Sequence, residues 1–223
     1  ILLENLTMTD NKEGATAADS DFAKKAAAHI EPILEHLETE EVVIDKEKIV
    51  ELFVKLWEYE DGEKLDPATQ KLTIIGLFMY ASHNILDDYN IRIDRARKFI
   101  IAALHDWIKP DLEKTIAKEK ESDNPFKAFV DAGQNTFDDN FAWEHFMPST
   151  KKADATEWNF KMKKCWFAQF FIRFGRVDYI QTACEFDKIQ WDARKDYVDL
   201  KLTNLFAKLG TICQFKYTPA KSE

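Results

Sequence analysis

Glycine and proline are scarce, six of each in 223 residues, so loop punctuation does not characterise this chain. Long apolar runs are absent too. The uninterrupted hydrophobic stretches are only a few residues long, and a bilayer needs about 20, so none is expected to span one. Positive charge is in deficit. With 31 Lys and Arg against 40 Asp and Glu, a net charge of −9 disfavours a phosphate-backbone partner, which demands clustered cations. Nucleic acid and anionic membrane are therefore not expected as partners. Cysteine is sparse and odd in number: Cys165, Cys184 and Cys213 fit neither a disulfide framework nor the paired spacing of zinc sites. Free thiols in a reducing compartment follow, and a cytoplasmic location is expected. The first residues, from Ile1 on, have no basic segment followed by a sustained apolar one, so no secretory signal is expected. Histidines are few and show no H-x3-H pattern.

What is present is aromatic bulk, 17 Phe and 6 Trp. Residues 1–19 are polar and small, and read as a disordered lead-in. From there to 223 a single α+β domain is expected, with a helical part over 20–147 and a sheet-forming part over 156–218. Ala26, Ile30, Ile33, Leu34 and Leu37 recur at helical spacing around Pro32, and Ile49, Val50, Phe53, Leu56 and Trp57 share one face behind the cap Asp45. Asp66-Pro67 has the order that opens a helix. The following segment, through Leu72, Ile75, Phe78 and Met79, is apolar nearly all round and should be central. Another helix carries Phe99, Ile100, Ala103, Leu104 and Trp107, with Pro110 kinking or restarting it. Residues 45–118 are thus mainly helical, with shorter helical regions near Phe126–Val130 and Phe137–Phe146.

After Pro148-Ser149-Thr150-Lys151-Lys152 the period changes. Trp158, Phe160 and Met162 alternate with polar residues, as do Val198, Leu200 and Leu202, and then Cys213, Phe215 and Tyr217. Strands near 157–164, 197–206 and 212–218 of one antiparallel sheet are expected, packed under the helical two-thirds. Phe167, Phe170, Phe171 and Phe174 return to helical spacing and stop at Gly175. No internal repeat is visible.

The three thiols fall on this C-terminal unit. If its strands close one sheet, Cys165 and Cys213 approach each other, and Cys184 shares a helix face with Asp187 one turn later. A thiol beside a carboxylate is a candidate nucleophile with its base, although a free cysteine is more often a small buried hydrophobe. His83, Asp87 and Asp88 are weak as a metal cluster because the acidic pair is also ordinary turn chemistry. His105-Asp106 and Glu144-His145 are adjacent pairs whose side chains diverge on a helix.

The run Cys165-Trp166-Phe167-Ala168, then Gly175, then Cys184-x-x-Asp187, then Lys208-x-Gly210-x-x-Cys213-x-Phe215-x-Tyr217 resembles the L-2-amino-thiazoline-4-carboxylic acid hydrolase family. The resemblance is firm over about 158–217, and looser over 70–147. It departs at Gly175-Arg176-Val177-Asp178, where a proline-containing turn is usual, and at Asn204-Leu205, where an Arg-Thr pair is common. The resemblance implies an enzyme that acts on a carbon–nitrogen bond of a cyclic amidine, opening a thiazoline ring to a carbamoyl-cysteine, or a diverged ring-opening, cyclising or isomerising relative in specialised metabolism. It implies Asp187 as base or amidinium anchor and Cys184 as nucleophile or hydrogen-bond donor. Cys165, Cys213, Arg173 and Arg176 are the substrate-binding candidates, an arginine forking a substrate carboxylate. No cofactor and no metal are implied, and a homo-oligomer is compatible. A weaker likeness of the closing strand to vinyl-reductase-type small-molecule-binding domains implies a pocket and not necessarily a reaction, and the alternative is a non-catalytic small-molecule-binding module.

Overall fold

A computed structural model describes residues 21–40, 42–203, 205–208 and 210–221. The lead-in expected over 1–19, and Asn204, lie outside them. Two short helices, α1 (Asp21–Ala27) and α2 (Glu31–Leu34), precede α3 (Lys46–Tyr59), α4 (Pro67–Asp88) and α5 (Ile93–Lys120). The expected caps are in place. Asp45 accepts from the Glu47 N–H, and Asp66 accepts from the N–H groups of Ala68 and Thr69, satisfying donors that a helix N-terminus otherwise leaves open. Helix α5 runs through Pro110 without restarting.

Helix α4 is buried over most of its circumference, from Thr73 to Leu86. Gly76 lets another helix approach it closely. A Cβ there would stand 3.0 Å from the Trp166 ring and 3.1 Å from that of Phe170, so a larger residue would push α9 (Trp166–Arg173) outwards. That helix ends in a Schellman motif: Gly175, at φ +70°, donates to Ile172, and Arg176 donates to Phe171. Between α5 and α9 lie α6 (Pro125–Asn135), α7 (Phe137–Asn140) and α8 (Trp143–Phe146), and α10 (Ile180–Asp192) follows α9.

The sheet is antiparallel throughout, in the order β1-β2-β4-β3, with β1 at Pro148–Ala153, β2 at Trp158–Met162, β3 at Val198–Thr203 and β4 at Cys213–Pro219. The fold is α+β. Aromatic residues meet across the ladder, Trp158 opposite Tyr217 and Phe160 opposite Phe215, the pairing that stabilises a half-buried sheet face. The sheet begins earlier than the 156 expected, because β1 is an added edge strand. Its side chains are mostly exposed, so no apolar alternation marks it, and Pro148, Lys151 and Lys152 blunt an otherwise open edge.

Two apolar clusters result. One is built by α1–α5, α9 and α10, and the other by the sheet with Phe126, Val130 and Phe146. Leu72, Trp166 and Phe206 touch both and keep accessible surface.

Candidate active site

The seam between the two clusters gathers the thiols. Cys165 is the residue before α9, and its Sγ accepts from the Ala168 N–H at 3.4 Å. Cys213 opens β4 opposite Met162. Cys184 lies on α10, at the head of an i, i+3, i+4, i+7 stripe of Cys184, Asp187, Lys188 and Trp191 on one helix face. Trp191 packs on the sheet cluster, so this stripe faces the seam. The short 3-10 turn Phe206–Lys208 closes it: the Ala207 N–H points to Cys184 and the Phe206 N–H to Cys213.

The thiols and Asp187 lie close enough to act on one another's charge. Cys165 senses Asp187, Cys184 and Cys213; Cys184 senses Asp187 and Cys213; Cys213 senses Asp187. Burial pushes all three thiols up, Cys184 to about 12. They are neutral S–H groups at physiological pH. Asp187 is exposed, yet the protein packed around its carboxyl raises it to about 7. It makes no hydrogen bond or ion pair with a described residue, so nothing offsets the cost of its charge.

All three cysteines are free. The protein should therefore melt at the same temperature with and without reductant. A drop of several degrees on reduction, as loss of a bridge worth about 2–4 kcal/mol gives, would show a disulfide instead.

The structure does not bring Arg173 or Arg176 to this group. Arg173 is eight residues beyond Cys165, about 12 Å along the helix, and forks Glu60 with contacts of 2.5 and 2.6 Å. Arg176 bonds Asp178 at 3.0 and 3.2 Å and lies 3.8 Å over the Tyr179 ring. Both guanidinium groups already have carboxylate partners on another face.

His83 turns into the helical core, where its Nε2 meets Thr182 Oγ1 at 2.8 Å and its ring stacks on Tyr179. Burial first, then Arg97 and Arg176, lower it to about 3, so it stays neutral and does not converge with Asp87 and Asp88. Among the described residues no group of three or more His, Cys, Asp or Glu is placed to hold a metal ion, and no helix is long and apolar enough to cross a membrane.

Two features escaped the sequence. Tyr217 senses Asp187 and Arg194, and burial raises its phenol above the ordinary value. Behind it, Arg194 Nε and Nη2 each reach Glu119 at 2.8 Å, with both residues 3% exposed. Tyr197 donates to the same carboxylate, and Arg194 lies over the Phe129 ring. Glu119 stands between Lys118 and Lys120, a pattern that reads as a solvated face.

The family model for L-2-amino-thiazoline-4-carboxylic acid hydrolase matches residues 75–217. No curated protein matches the chain. Two solved structures, the Fe(II) unliganded H-NOX protein from K. algicida and a point mutant of it, are 6% and 8% identical, covering 88% and 90% of this chain and 97% and 94% of theirs. Their TM-scores of 0.40 and 0.35 are too low for the likeness to carry an argument.

Proposed function

Because the chain belongs to the L-2-amino-thiazoline-4-carboxylic acid hydrolase family, whose model covers more than half of it, we propose that it hydrolyses a cyclic amidine of that class in a recess around Asp187. The observation that carries this reading is a carboxylate raised to about 7 among three protonated thiols. A base poised near neutral pH takes a proton efficiently and gives it back. Asp187 draws a proton from water as the oxygen bonds to the amidine carbon. The tetrahedral centre then breaks its bond to the ring nitrogen, which takes up that proton while the new hydroxyl gives its own proton to the departing amine, leaving a carbamoyl group on sulfur and a free amine.

Cys184 acts here as a donor and not as a nucleophile, since a thiol pushed up to about 12 is scarcely ionised at pH 7. Cys184→Ser should keep turnover within about tenfold of the parent, because a hydroxyl replaces one donor by another. A loss of about a thousandfold or more, in the range seen when a covalent nucleophile is removed, would reverse the assignment.

The direct test incubates the protein with 2-amino-thiazoline-4-carboxylate and follows carbamoyl-cysteine by mass spectrometry. Product that depends on Asp187 supports the reading. Tight binding without product would favour the alternative, a small-molecule-binding module. With the base raised to about 7, kcat/KM should climb with pH below that value and level off above it. A profile flat from pH 5 to 8 would remove Asp187 from the proton transfer.

A further inference from the structure

A substrate that carries a carboxylate beside its amidine needs a cation in the recess, and neither Arg173 nor Arg176 is there. The search for one leads back to α10. Lys188 follows Asp187 and stands one turn after Cys184, so the three project from one helix face with Cys184 between the two charges. At i+3 and i+4 the carboxylate and the ammonium lie on opposite flanks of the thiol. Lys188 is half-buried, which is unusual for an unpaired lysine. Its charge acts on the Cys184 thiol. No hydrogen bond or ion pair joins it to a described residue, and the other described lysines of which that holds, Lys48, Lys55 and Lys98 among them, are exposed.

We infer that Lys188 binds the carboxylate of the substrate, so that a zwitterionic ligand lies across α10 with its amidinium on Asp187, its ring near Cys184 and its carboxylate on Lys188. The inference rests on the amidine reading of the site and adds its second anchor. It also makes the recess selective: a ligand with one charge satisfies one flank and leaves the other ion without a partner. A heterocycle derived from an α-amino acid, with cation and anion a few ångströms apart, has the matching charge separation.

The experiment compares the parent protein, Lys188→Gln and Lys188→Arg on two probes, 2-amino-thiazoline-4-carboxylate and 2-amino-thiazoline without the carboxylate, reading Kd by calorimetry, KM and kcat. Lys188→Gln should weaken the carboxylated probe about tenfold to hundredfold, the range for losing a charge-assisted hydrogen bond. Its kcat should hold, and its affinity for the probe without the carboxylate should not change. Lys188→Arg should restore most of the loss. Equal losses on both probes, or none on either, would overturn the assignment of Lys188 while leaving Asp187 in place. If the parent protein neither binds nor turns over the carboxylated probe, the amidine reading fails and this inference with it.

Discussion

Asp187→Asn should lower turnover by about a hundredfold to ten-thousandfold, the range for removing a positioned general base, while making the protein harder to melt above pH 7. Both effects come from one cause. The amide keeps the shape of the side chain, so Cys184, Cys213 and Tyr217 keep their neighbour, but it accepts no proton from water. The stability gain follows from linkage. Burial raises the Asp187 carboxyl from 3.8 to about 7, so between those values the folded protein holds a proton that the unfolded chain has released. The penalty is absent below about pH 4, grows as pH rises towards 7, and is complete above it. The variant carries none of this, so its thermal midpoint should exceed that of the parent at pH 8 and match it near pH 4. A residue that were merely an exposed helix carboxylate would leave both midpoints alike, and its loss would leave turnover intact.

The second large effect is on stability alone. Arg194→Met should lower the thermal midpoint by about 10 °C, because it leaves Glu119 buried and charged without its partner, a loss of about 3–5 kcal/mol. Two Arg194 contacts of 2.8 Å hold that carboxylate, and the backbone carbonyl of Gln190 accepts from Arg194 at 2.7 Å. The pair ties the end of α5 to the end of α10, and so fixes the helix that presents Cys184, Asp187 and Lys188. The surface pair Lys114–Asp111, with side chains 73% and 90% exposed, is the control. Lys114→Ala should shift the midpoint by no more than a degree or two, since exposed pairs contribute about 0–1 kcal/mol. Calorimetric melts of the two variants side by side decide it: equal shifts would mean that the Glu119 carboxylate is not isolated from water.

The helices and three of the four strands were legible because burial leaves a period in the sequence. Trp158, Phe160 and Met162 alternate, and all three are buried. Ile49, Phe53 and Trp57 recur at steps of four, and all three are buried. Strand β1 was not legible, since an exposed edge strand buries nothing and its lysines carry no alternation. The grouping of Cys165, Cys184, Cys213 and Asp187 was readable from strand adjacency and helical spacing, which are local. The partners of the arginines were not local. Arg173 meets Glu60 across 113 residues of chain, and nothing near either residue announces the pair. The same holds for Glu119 and Arg194, 75 residues apart. Lys188 carries no mark in the sequence: it stands beside Asp187, and only its partial burial without a partner distinguishes it in the fold from the exposed lysines.

Everything proposed for the recess depends on Asp187 being a desolvated carboxyl that changes charge near neutrality. Its titration can be read directly from the carboxyl carbon resonance of the protein labelled with carbon-13 aspartate, assigned by its loss in Asp187→Asn. A midpoint near 7 is the expected result, well separated from the other aspartates. A midpoint near the ordinary 3.8 would mean that water solvates the carboxylate freely, and would contradict its assignment as the base.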